Sequence, residues 1–164
     1  MIYSTALLDA LSSLKGLTWE GVVYRHMFGS NPPERENQSG ARWNPQEVPA
    51  IYCSLEKRTA IAEADFQIAV QPFKPKAERR VHRIQVRLAS AVQLTTWTLL
   101  ESLGVDQTSY GSVEPPRCKE IGGALAYLGH DGILVPSARC DGVNLVIYPT
   151  VDCVFAPRDF SIVS

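Results

Sequence analysis

Hydrophobic and polar positions change period several times along this chain, and each change marks an element. Ala6, Leu7, Ala10, Leu11 and Leu14 recur at helical spacing behind Ser4, whose hydroxyl suits an N-cap, and Gly16 ends the run. Val22, Tyr24, His26 and Phe28 then alternate with Val23, Arg25 and Met27, the period of a strand. Gly29 to Gly40 is polar and rich in Pro, Asn, Glu and Ser. It is a long loop, of a length that in compact domains goes with function or motion. Ala50 to Cys53 is a short buried strand, and Glu56 to Val70 is a helix with Ala60, Ile61, Ala64 and Ile68 on its apolar face.

The segment from Gln71 to Lys76, with two prolines, breaks that helix. Val81 to Leu88 alternates again, and Val92 to Leu94 extends the same sheet. Thr96 to Leu103 predicts a short helix stopped at Gly104, Asp106 to Pro116 a second irregular loop, and Cys118 to Leu128 a helix in spite of Gly122 and Gly123. Ile133 to Val135, Val143 to Tyr148 and Val151 to Phe155 are the last predicted strands. Helices and strands alternate without the even spacing of parallel βαβ units, so the fold class is α+β. With no linker and no repeat, residues 1–164 read as one domain.

Composition narrows the class. At 164 residues and 45% apolar content the chain can bury one sizeable core. Sixteen Lys and Arg against seventeen Asp and Glu leave a formal charge of -1, which gives no long-range pull on nucleic acid or anionic lipid. No apolar run approaches the roughly 20 residues of a membrane span, and the first residues lack a basic region followed by an apolar core. Cys53, Cys118, Cys140 and Cys153 are scattered without CxxC spacing, so they read as free thiols of a cytoplasmic protein rather than zinc ligands.

The candidate chemistry gathers around one stretch. Arg42 presents a planar fork that suits phosphate oxygens, or it braces its own loop. Arg25 shares a strand face with Val23 and Met27, so it points into a cleft or requires a buried partner. Tyr52 is a core aromatic or a ring on which a nucleotide base stacks; Trp43 has the same two readings, and packing is favoured for it. Glu63 stands between Ala62 and Ala64 near the apolar stripe of its helix, where a carboxylate must be paired, hydrogen-bonded or lining a pocket, whereas Asp65 faces solvent. Ser137, with Arg139 and Asn144 near it, follows a strand end, where such residues commonly satisfy turn backbone. It lacks a Gly-x-Ser-x-Gly elbow; the chain has no P-loop, no GxGxxG and no histidine pair at metal spacing.

Tyr24-Arg25, Gly40-Ala-Arg42-Trp-Asn44, Ile51-Tyr52, Thr59-Ala-Ile-Ala-Glu63, Gly132-Ile-Leu-Val-Pro-Ser137 and Asn144 follow one another in an order that resembles the RES domain family. The resemblance covers roughly residues 20 to 150. It implies a fold similar to the ADP-ribosyltransferases of the diphtheria-toxin group and a toxin that acts on NAD as its substrate, with no metal. It implies Glu63, Arg42 and Tyr52 as catalytic residues, and Arg25, Ser137 and Asn144 as substrate-binding ones. In that scheme Glu63 holds a ribose hydroxyl and stabilises an oxocarbenium-like transition state, Tyr52 stacks on nicotinamide, Arg42 grips the pyrophosphate or pins the nicotinamide ribose, and Ser137 bonds at the nicotinamide end. The Gly29 to Gly40 loop is expected beside the pocket, in a position to gate it. The implied partner is an Xre-type antitoxin that covers the pocket mouth. The acceptor of ADP-ribose stays open between water, inorganic phosphate and a protein side chain, with NAD depletion expected before transfer to a specific protein target. A catalytically inactive RES-like module that only holds its antitoxin is the third reading.

Overall fold

The structure, a computed structural model, describes residues 2–112 and 116–164. Its organising element is the long strand β3 (Arg79–Gln93), which takes three partners along its two edges. One edge runs antiparallel to β1 (Leu17–Phe28) for nearly its whole length. The other edge carries β6 (Val154–Ile162) antiparallel over Arg80–Arg87 and then β4 (Gly132–Pro136) parallel over Ala91–Gln93. From β4 the order runs to β5 (Val143–Ile147) and β2 (Ile51–Ser54), both antiparallel to their neighbours. A single pairing of Tyr24 with Ser54 joins β2 back to β1. Strands β1, β2, β5, β4 and β3 therefore close a ring, with β6 outside it.

Period-2 alternation divides the burial between two cores. Ile51, Cys53, Leu134, Leu145 and Ile147 point inward with Val23, Ile84, Val86 and Leu88. The alternate residues Ala50, Ile133, Val135, Val146 and Tyr148 point outward, onto α1 (Thr5–Ser12), α3 (Trp97–Ser102) and α4 (Pro116–Tyr127). Strands β2, β5 and β4 are thus buried on both faces, which is why they are short and almost continuously apolar. Helix α2 (Lys57–Val70) lies instead beside β1 and β2.

The α+β expectation holds. The Ser4 hydroxyl accepts the Leu7 N–H as the cap of α1, and Thr96 does the same for α3 through Leu99. The two patches at Val81–Leu88 and Val92–Leu94 are one continuous strand. Two expectations need correction. The last strand is not Val151–Phe155: residues around Thr150–Cys153 turn, and β6 begins at Val154. Pro157 and the charged Arg158 and Asp159 hide its alternation, and they are tolerated because β6 is an edge strand with a register shift beside Pro157. In α2 the buried residues are Thr59 and Ala60, while Ile61, Ala64 and Ile68 are only half-buried, because this helix borders a cleft. The second irregular loop includes residues 113–115, which lie outside the described residues.

Gly122 and Gly123 interrupt a helix for a packing reason. A Cβ on Gly122 would stand 1.8 Å from the Trp43 carbonyl oxygen, and one on Gly123 would stand 2.2 Å from the Tyr3 hydroxyl. Only glycine lets α4 approach the Gly40–Pro45 turn so closely. Trp43 itself is buried in the outer core, in line with the packing role expected of it.

Candidate active site

Where β2, β5 and β4 end, their outward face is left uncovered by the helices of the outer core, and a cleft of about 600 Å³ opens between that face and α2. That volume falls in the range of small-molecule sites. Arg25, Arg42, Tyr52, Glu63 and Asn144 all line it. So do Asn31, Arg35, Asn37 and Gly40, which puts the Gly29–Gly40 loop at its rim.

Glu63 is the best-held group. Its Oε1 accepts from the Ser137 hydroxyl at 2.6 Å and from the Asn144 amide at 2.8 Å, while Oε2 takes no hydrogen bond from the described residues. Each donor is itself fixed. Ser137 Oγ accepts the backbone N–H groups of Arg139 (3.1 Å) and Cys140 (3.3 Å), so its own proton is left for Glu63. Asn144 Oδ1 accepts from the Ser54 hydroxyl at 2.7 Å, which leaves its amide to face Glu63. Sheet register explains the meeting, since Asn144 stands opposite Ser54 on one side and Val135 on the other. Ser137 is buried and lies behind the carboxylate, outside the cleft wall.

Tyr52 holds the neighbouring turn. Its hydroxyl accepts the Trp43 N–H at 2.9 Å and donates to Asn44 Oδ1 at 2.6 Å, and its burial raises the phenol's pKa well above the usual range. The fully buried Asn44 then donates to the Val48 carbonyl at 2.7 Å. Arg42, carried on this turn, donates Nη1 to the Tyr110 carbonyl and Nη2 to the Ser112 carbonyl at 2.9 Å. Arg139 donates Nη1 to the Gly111 carbonyl between them at 2.9 Å. Arg25 reaches the Pro33 carbonyl of the rim loop; desolvation lowers its pKa, against the pull of Cys53 and Glu34.

Glu63, Ser137 and Asn144 are therefore brought together, whereas Arg42, expected on the pyrophosphate or the nicotinamide ribose, and Arg25, expected to bind substrate, rest on main-chain carbonyls. Ser54, Tyr110, Phe66 and the role of Arg139 escaped the sequence reading. Ser54 had a signal, because it sits two residues after Tyr52 and so shares its strand face. Among the described residues no group of three or more His, Cys, Asp or Glu could hold a metal, and no helix is long and apolar enough to cross a membrane.

Residues 19–160 match the RES domain, and the chain belongs to that family. It is similar to the NAD(+) phosphorylase MbcT of Mycobacterium tuberculosis and that of Mycobacterium bovis, each 27% identical over 151 residues, 86% of this chain and 79% of that protein. Its fold is also that of a chain in the crystal structure of the M. tuberculosis MbcT–MbcA toxin–antitoxin complex, with a TM-score of 0.84 at 22% identity over 98% of this chain and 93% of that one.

Proposed function

We propose that this chain is an NAD-degrading toxin of a toxin–antitoxin pair, and that it breaks the bond between nicotinamide and ribose within the single domain of residues 1–164. The observation that carries the reading is the Glu63 carboxylate, oriented through one oxygen by Ser137 and Asn144 and free at the other, in a cleft ringed by guanidinium groups. Nicotinamide departs from a cationic ring nitrogen, so its departure calls for no strong acid. Positive charge builds on the ribose instead, and a fixed carboxylate stabilises it. Oε2 of Glu63 is free to take a ribose hydroxyl, Tyr52 supplies the ring face for nicotinamide, and Arg25 and Arg42 supply charge for the pyrophosphate. Arg42 does so by exchanging carbonyl oxygens for phosphate oxygens. Ser137 acts through Glu63 as a positioning residue. The similarity to a named phosphorylase favours inorganic phosphate over water or a protein as the acceptor. The partner is an antitoxin of the Xre type that covers the cleft mouth, and the protein works in the cytoplasm.

Glu63→Gln tests this reading sharply, because glutamine keeps an oxygen for Ser137 and Asn144 but removes the charge. NAD consumption by the purified protein should fall on the order of 100-fold or more while the melting temperature is retained. Turnover at the wild-type rate would show that the carboxylate is not the catalytic group.

A further inference from the structure

Two guanidinium groups reach the same short segment from the cleft, and they use different edges to do so. Arg42 has both Nη atoms on carbonyls, but Arg139 has only Nη1 so placed. Among the described residues, Arg139 Nε is buried with no hydrogen-bond partner and its Nη2 makes no hydrogen bond. The Nε–Nη2 edge is one that forks onto two oxygens of an oxyanion, and a buried donor without an acceptor is an exception that calls for one. The guanidinium is also held in place: its carbon lies 3.3 Å from the centroid of the Phe66 ring. Phe66 follows Glu63 by three residues on α2, so both project from one helix face. The stack therefore sets Arg139 beside Glu63, on the chain two residues past the serine that orients it. Desolvation and then Arg42 lower the pKa of Arg139 while Glu63 opposes them, and a bound anion would offset both.

We propose that the Nε–Nη2 edge of Arg139 binds the acceptor, inorganic phosphate, and so makes phosphate rather than water the group that takes the ADP-ribose. The proposal rests on the NAD-cleaving function above. A phosphate dianion approaching C1′ of the ribose beside the Glu63 carboxylate needs a cation there, and Arg139 is that cation. One phosphate oxygen bonds to C1′ as the C1′–N bond breaks. The electron pair of the broken bond stays on the nicotinamide nitrogen and neutralises it. Hydrogen phosphate keeps its proton in ADP-ribose 1″-phosphate, so this step needs no general base, whereas water would have to lose a proton.

The test is steady-state kinetics of the full chain and of Arg139→Gln and Arg139→Lys, with NAD and inorganic phosphate varied separately and products resolved by phosphorus NMR. Arg139→Gln should raise the KM for phosphate about tenfold or more and shift product from ADP-ribose 1″-phosphate toward ADP-ribose. The KM for NAD should move by less than about threefold, and Arg139→Lys, which keeps the charge but not the fork, should fall between. Phosphate without NAD should raise the melting temperature of the wild type and not that of Arg139→Gln, a readout that survives if the variant is less stable. An unchanged KM for phosphate, or equal rises in both KM values, overturns the proposal. Wild-type turnover that ignores phosphate overturns it too, yet leaves NAD cleavage standing. Wild-type protein that leaves NAD intact refutes the proposed function itself, and the acceptor site falls with it.

Discussion

Two segments meet beside the cleft, bridged by Arg42, and are fixed by opposite means. The Gly40–Pro45 turn is held from inside the protein: Tyr52 and Asn44 bond within it, the Tyr148 hydroxyl donates to the Trp43 carbonyl at 2.8 Å, and α4 presses its two glycines against it. The Tyr110–Ser112 segment is held through its carbonyls by Arg42 and Arg139, with the Tyr110 hydroxyl on the Pro136 carbonyl at 2.7 Å as its main side-chain anchor. The first is a buried, cross-bonded network, with Trp43 Nε1 its one buried side-chain donor lacking a partner among the described residues, and it is the more rigid of the two. The second hangs on half-exposed cations that a bound anion can compete for. A pocket for a pyrophosphate nucleotide gains from both: one wall that fixes Arg42, and one whose hold responds to charge.

The rigid wall breaks most severely at Gly122. A Cβ there would sit 1.8 Å from the Trp43 oxygen and 2.6 Å from the Tyr148 hydroxyl, so main chain, not a flexible side-chain tip, has to move. Gly122→Ala improves helix propensity by about 1 kcal/mol, but overpacking against main chain outweighs it, with a net loss of about 2–3 kcal/mol. The melting temperature should drop by roughly 5–10 °C. Because the displaced turn carries Arg42 and the partners of Tyr52, NAD turnover should fall with it. A variant as stable as wild type would mean that α4 slides away from the turn at little cost.

Arg42 separates charge from shape in the second wall. A lysine at this position keeps the charge but cannot span the Tyr110 and Ser112 carbonyls at once. Arg42→Lys and Arg42→Ala should therefore lose similar stability, about 1 kcal/mol each, read as a fall of about 2–4 °C in melting temperature. A lysine variant that melts with the wild type would show that charge alone holds the segment.

These two walls also mark what the sequence could reveal. The Gly40–Asn44 turn was legible because every residue in it answers to a demand that few side chains meet: Gly40 has a φ of 92°, Trp43 fills the outer core, and Asn44 is buried with its amide bonded. Glu63 was legible as a carboxylate on an alanine-rich helix, and of its partners Asn144 lies on β5 while Ser137 follows the end of β4. The Tyr110–Ser112 segment was not legible, since carbonyls are offered by every residue and no residue type betrays that an arginine will use them. Strand β6 escaped for a similar reason: it is held by its backbone ladder along the edge of β3 and not by an apolar stripe. The reach of a strand along an edge is set by its neighbour, which local pattern does not contain.

Acid exposes a third, smaller difference. Neither wall has a gripping group that titrates between pH 4 and 7, since one uses tyrosine, asparagine and main chain and the other uses arginine. The outer end of β1 does have such a group. His26 lines the cleft, packs edge-on against Phe28, and accepts a hydrogen bond from Arg79 Nε at 2.9 Å. Burial first, and Arg79 second, lower its pKa from 6.5 to about 4. The unfolded chain therefore takes up a proton between pH 6.5 and about 4 that the folded chain refuses, so the stability this histidine contributes is complete above pH 6.5 and is lost as pH falls toward 4. His26 is only half-buried, and solvent screening reduces its share to about 1 kcal/mol. His26→Gln keeps an acceptor for Arg79 and cannot titrate. Its melting temperature should decline less steeply than that of the wild type between pH 7 and 4.5, the difference amounting to about 2–4 °C. Parallel profiles would place the acid sensitivity among the carboxylates and leave both walls and this strand end equally indifferent to protons.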